Sequence, residues 1–86
     1  MPPLCFFYGI LVRMYWQDHN PPHFHALYGS HEALENIAML EVLEGELPRR
    51  ALALVLEWAA LHRKELMEAW NQCSRNQTPQ SIAPLD

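Results

Sequence analysis

The chain has 86 residues, half of them hydrophobic, with a formal net charge of −4 and two cysteines. That length allows one small domain with a small core, and that apolar share excludes a disordered chain. The acidic balance excludes the broad basic field with which nucleic-acid binders displace counterions from phosphate, so any nucleic-acid contact requires a local patch or a basic partner.

The first predicted element is a strand from Leu4 to Trp16, where Phe, Tyr, Ile, Val and Trp dominate. Alternation places Phe6, Tyr8, Ile10, Val12, Met14 and Trp16 on one face and Phe7, Gly9, Leu11, Arg13, Tyr15 and Gln17 on the other. This apolar start is too short to span a bilayer and has no basic leader before it. With Cys5 and Cys73 far apart, the reading is free thiols, a cytoplasmic location and no membrane association. "DHNPP", residues 18–22, predicts a turn. "HFHALY" then resumes the strand pattern and stops at Gly29, which makes a hairpin.

The expected register sets Gln17 opposite His23, Tyr15 opposite His25 and Arg13 opposite Leu27. One side of the hairpin then carries Arg13, Tyr15, Gln17, His23 and His25, away from any covering helix. The other carries Val12, Met14, Trp16, Phe24, Ala26 and Tyr28 beneath it. Residues 31–47 read least clearly. A third strand near 31–38 extends the ribbon, and a short irregular helix is the alternative.

One long helix is predicted next, starting near Pro48 and running unbroken to about Asn71 through strong helix formers without Gly or Pro. Leu52, Val55, Ala59, His62, Leu66 and Trp70 form its packed face. Leu54, Trp58 and Leu61 form a second stripe, read either as a partner surface or as core covered by residues 31–47. Arg49 and Arg50 sit in the first helical turn, where the dipole disfavours cations. They pair with Glu44 and Glu46, or they meet phosphate or carboxylates of a partner. The organisation expected is one domain over 1–73 and a flexible polar tail over 74–86. The fold class expected is α+β: a small antiparallel sheet of about three strands with one long helix packed on one face.

Three chemistries compete for the histidine face. His23 and His25, two apart on a strand, share a face within reach of one ion, with Asp18 or His19 as a third ligand; zinc accepts such a set. The same histidines could move protons in a metal-free, ribonuclease-like cleavage, with Arg13 and Tyr15 holding a phosphate. The bland alternative is a solvated or partner-covered face, on which no cofactor is needed.

The stretches "RMY…DHNPPHFHA.YG", "LEGELP" and "ALVLEWA.LH" resemble a bacterial domain-of-unknown-function family numbered four-one-six-zero, over about Phe6 to Trp70. The matching positions are Arg13, Tyr15, Asp18, His19, Pro21, Pro22, His23 and His25. The resemblance implies a small cytoplasmic protein encoded beside a companion. It is similar to the toxin-like component of a type II toxin–antitoxin pair, neutralised by a small antitoxin-like protein. It brings no catalytic mechanism. The competing function classes are a non-catalytic interaction or regulatory module, and a histidine-based metal-binding protein or nuclease. Exposed apolar stripes also leave self-association as an expectation.

Overall fold

The structure is a computed structural model that describes residues 3–86, so the first two residues of the expected 1–73 domain lie outside it. Five strands come first: β1 (Cys5–Phe7), β2 (Ile10–Arg13), β3 (His23–Tyr28), β4 (His31–Asn36) and β5 (Val42–Glu46). Two helices follow, α1 (Arg49–Leu61) and α2 (Arg63–Ser74). The strands form one antiparallel sheet in the order β1-β2-β3-β4-β5. The α+β class holds, with five strands in place of about three and two helices in place of one.

The run from Leu4 to Trp16 is a hairpin, not one strand. Its loop is Tyr8 (φ 49°) and Gly9 (φ 80°), the pair of positive φ angles that a two-residue hairpin loop takes. The loop switches the buried parity, with Cys5 and Phe7 inside before it and Ile10, Val12 and Met14 inside after it. Phe6 and Tyr8 are exposed as a result, against the expected continuous alternation.

Between β2 and β3, Val12 faces Ala26 and Arg13 faces His25. This register is two residues from the expected one. A shift of two keeps the paired side chains of β2 and β3 on their predicted sides, because the strand period is two. What changes is the connection. The strand ends at Arg13, and residues 14–22 form a connection without strand or helix. Trp16 consequently lies at the surface rather than under a helix, with its Nε1–H donating to the Gln77 carbonyl at 3.2 Å.

β4 falls within the expected 31–38. β5, which was not expected, pairs beside it with a register shift at Leu34/Glu35. Gly45 makes the approach possible: at φ +76° a Cβ there would sit 2.1 Å from the Glu32 carbonyl oxygen. The shift coincides with an unusual burial. Glu35 is fully enclosed in the core, opposite Phe24, and neither carboxyl oxygen has a hydrogen-bond partner. Burial pushes its pKa up to about 7.

Pro48 immediately precedes α1, as its missing donor favours. The helix does not continue to Asn71: His62, at φ −123° and ψ 25°, separates α1 from α2. On the packed side lie Ala51, Val55, Trp58 and Ala59 of α1, then Leu66, Ala69, Trp70 and Cys73 of α2.

Trp58 is core, not partner surface. It has no exposed area, and its ring lies 5.4 Å from Phe7 and 6.0 Å from Phe24 between centroids. The cover comes from the far end of the chain. The Trp58 Nε1–H donates to the Ala83 carbonyl at 2.8 Å, and the Ile82 N–H donates to the Leu4 carbonyl at 2.8 Å. Ile82 and Pro79 are buried, so the stretch read as a flexible tail is docked along the domain. Of the other stripe residues, Leu54 is half-buried and Leu61 is 68% exposed. Cys5 and Cys73 are free and buried; burial raises both thiols, which makes them poor nucleophiles. No helix among the described residues is long and apolar enough to cross a membrane.

Candidate metal centre

β3 projects His23 and His25 to the same side of the sheet, and the 14–22 connection folds back to bring Asp18 over them. The connection holds a cis peptide bond between Asn20 and Pro21. Asp18 Oδ2 lies 3.1 Å from His23 Nε2 and 3.2 Å from His25 Nε2. One ligand-type atom from each of the three residues falls within 4.8 Å of the others.

Neighbouring rings enclose the group. Trp70 of α2 stands 5.2 Å from His23 between centroids, so His23 does not face wholly away from the helices as expected. Tyr15 and His25 meet edge to face with centroids 4.6 Å apart, and the Arg13 guanidinium lies 5.9 Å from the Tyr15 ring centre. Arg13, Tyr15, His23 and His25 are thus gathered in one place. Tyr15 reaches it from the loop rather than from the strand.

The outward ring nitrogens are held as well. His23 Nδ1–H donates to the Pro21 carbonyl at 2.7 Å, and His25 Nδ1–H donates to Glu32 Oε2 at 3.0 Å. With the Nδ1 protons so committed, a neutral imidazole turns a bare Nε2 lone pair toward Asp18. Two lone pairs and a carboxylate oxygen then point at one another. The contact is relieved by a proton on one or both Nε2 atoms, donated to Asp18 Oδ2, or by a cation among the three atoms. Two buried imidazolium rings, 5.3 Å apart and sharing one carboxylate, are a costly arrangement. One divalent ion satisfies all three atoms. For Asp18 itself, burial pushes the carboxyl up. With no ion present, hydrogen bonds donated by His25 and the His19 N–H, with the charge and hydrogen bond of a protonated His23, outweigh that and hold it below the usual range.

His19 does not join the set. Its side chain is 87% exposed, and it contacts the other Asp18 oxygen, Oδ1, at 3.2 Å. His31 lies exposed at the far end of the β3–β4 hairpin, opposite Tyr28. His62 pairs with Glu65 at 2.6 Å, away from the centre. Sequence reasoning missed Glu32, the Pro21 carbonyl and Trp70. Glu32 had a signal: "YGSH" marks a second tight hairpin, which brings Glu32 opposite Leu27 and onto the His25 side.

The expected partner residues are divided. Arg50 and Leu54, with Tyr8, Tyr28, Pro48 and Ala51, line a cleft of about 350 Å³ at the opposite end of β3. Arg49 is exposed outside that lining. Among the described residues no arginine or lysine forms an ion pair, so the expected pairing of Arg49 and Arg50 with Glu44 and Glu46 is not made.

A family model described as "Domain of unknown function (DUF4160)" matches residues 9–71. No curated protein and no solved structure matches the chain.

Proposed function

We propose that this chain, which belongs to the DUF4160 family, binds one divalent transition-metal ion through His23 Nε2, His25 Nε2 and Asp18 Oδ2. The observation that carries the reading is the commitment of both Nδ1 atoms to oxygen acceptors. Metal-bound histidines almost always donate their other ring N–H in this way, which fixes the tautomer and aims the free nitrogen at the ion. The spacing agrees. Bonds of about 2.0–2.1 Å around a tetrahedral zinc ion set neighbouring ligand atoms roughly 3.3 Å apart, close to the 3.1 and 3.2 Å separations here. Two nitrogens and one carboxylate oxygen suit zinc better than calcium or magnesium, which prefer oxygen.

Three protein ligands leave a position for water or substrate, the pattern of catalytic rather than structural zinc. Tyr15 packs on His25 and Arg13 on Tyr15, so these two side chains would be the ones to orient an anionic substrate group. Titration of the metal-stripped protein with zinc should give one ion per chain. Asp18→Asn and His25→Ala should each weaken binding at least 100-fold, and Glu32→Gln should weaken it about 10- to 100-fold through its hold on His25. Asp18 lies on a partly exposed loop, so its variant keeps the fold, which circular dichroism checks. No binding at micromolar zinc, or equal binding by Asp18→Asn, would refute the centre.

A second reading makes the chain the toxin-like member of a two-protein module, neutralised by a small antitoxin-like partner. It is favoured by the cleft beside Arg50 and Leu54, which the chain leaves uncovered. Expression alone should then arrest growth, and the neighbouring gene product should restore it. Complex formation without arrest would leave an interaction module in its place.

A further inference from the structure

We infer that the cleft between the β1–β2 turn, the end of β3 and the first turns of α1 is a docking site for an acidic, apolar segment of a partner protein. Arg50 lines the cleft together with Tyr8, Tyr28, Pro48, Ala51 and Leu54. The inference stands apart from the metal centre: His23 and Tyr28 are at opposite ends of β3, roughly 17 Å apart at strand rise.

The first argument is an uncompensated charge. α1 carries two arginines and no acidic residue in its first turn, where the dipole favours anions, and Pro48 supplies no side-chain cap. Glu44 and Glu46 are near in sequence, yet neither pairs with Arg49 or Arg50. A local rule broken without an internal gain is where an external partner is expected. An incoming carboxylate meets the guanidinium and the positive end of the helix together.

The second argument is the wall. The lining is mainly apolar, and Tyr28 lies against Gly9, where an added Cβ would come within 3.3 Å of its ring. A volume of about 350 Å³ lies at the small end of ligand pockets, enough for one or two side chains. A bare phosphate would leave that wall wet, and a nucleic acid would need a wider basic field than a chain of charge −4 presents. An apolar side chain beside a carboxylate fills both halves, and two tyrosines with an arginine are the residue types that anchor protein interfaces.

The probe is the capped peptide Ac-Leu-Glu-Phe-Glu-NH₂, titrated into the ¹⁵N-labelled full chain. Its controls are Ac-Leu-Gln-Phe-Gln-NH₂ and inorganic phosphate. The expected result is saturable shifts of the Tyr28, Ala51 and Leu54 amides with the acidic peptide. The neutral peptide and phosphate should bind at least tenfold more weakly. Arg50→Glu should abolish the shifts while Arg63→Glu, on α2 outside the cleft, leaves them unchanged. The Arg50 amide is left out of the readout, so that the variant is judged on its neighbours. Equal binding of the neutral peptide, tighter binding of phosphate, or no shift at millimolar peptide would each overturn the inference. So would shifts of the same amides on raising protein concentration alone, since a second copy would then be the occupant.

Discussion

Glu35→Met should stabilise the protein by about 3 kcal/mol more at pH 8 than at pH 4. The Glu35 carboxyl is fully enclosed, lacks any hydrogen-bond partner, and has its pKa pushed from an ordinary 4.5 to about 7 by burial. Below pH 4.5 it is protonated in both folded and unfolded chains, and its ionisation has no effect on folding. Between pH 4.5 and 7 the unfolded chain releases the proton while the folded chain keeps it. Stability therefore falls as pH rises across that window. Above pH 7 the loss levels off at about 3 kcal/mol. Methionine fills a similar volume without an ionisable group, so the variant should lack this slope. Urea unfolding followed by tryptophan fluorescence at several pH values measures it. A pH-independent difference would mean that the carboxyl reaches water or a partner when ionised.

The second large effect should come from Trp58. Trp58→Ala removes the ring on which Phe7 and Phe24 pack, and truncations of this kind cost about 3–5 kcal/mol. Small domains have only about 5–15 kcal/mol in total, so thermal unfolding should drop steeply. Trp58→Phe separates packing from hydrogen bonding. It keeps an aromatic ring but loses the donor to the Ala83 carbonyl, for a cost of about 1 kcal/mol plus the reduced ring area. In that variant the Ile82 amide, bonded to the Leu4 carbonyl, should exchange with solvent faster than the amides of α1. Unchanged exchange at Ile82 would show that the terminal segment is held without Trp58.

These two residues mark where the sequence was hardest to read. A helical wheel resolves faces but not what covers them. Trp58 lay off the face assigned to the sheet, and residues 79–86 that enclose it carry no periodicity. The alternation of β3 was plain, and with it the pairing of His23 and His25 on one side and Phe24 and Ala26 on the other. The first hairpin was hidden because Tyr8 is an unusual residue for positive φ; its trace was the parity change between Phe7 and Ile10. β5 is exposed along its length, so no apolar pattern could announce it. The helix break at His62 has neither Gly nor Pro to signal it. The candidate set, His23 and His25 with Asp18 or His19 as a third ligand, was legible from composition and spacing, though not which of the two would stand over the pair. Its support was not: the Nδ1 acceptors are a backbone carbonyl and a cross-strand glutamate, and both depend on the tertiary path.

Every strand lies beside its immediate neighbours in the chain, so the sheet assembles by successive short closures, each joining residues that are close in sequence. Such closures lose little chain entropy, and topologies built from them fold fast for β-containing domains. The exceptions are the bonds from Gln17 to Cys73, from Trp16 to Gln77 and from Ile82 to Leu4; the last of these must wait until nearly the whole chain is in place. Folding should then have two parts in time: early formation of the sheet with its histidine pair, and a last step in which the terminal segment closes over Trp58. A nascent chain would carry an organised β3 before its largest core residue was sealed from water.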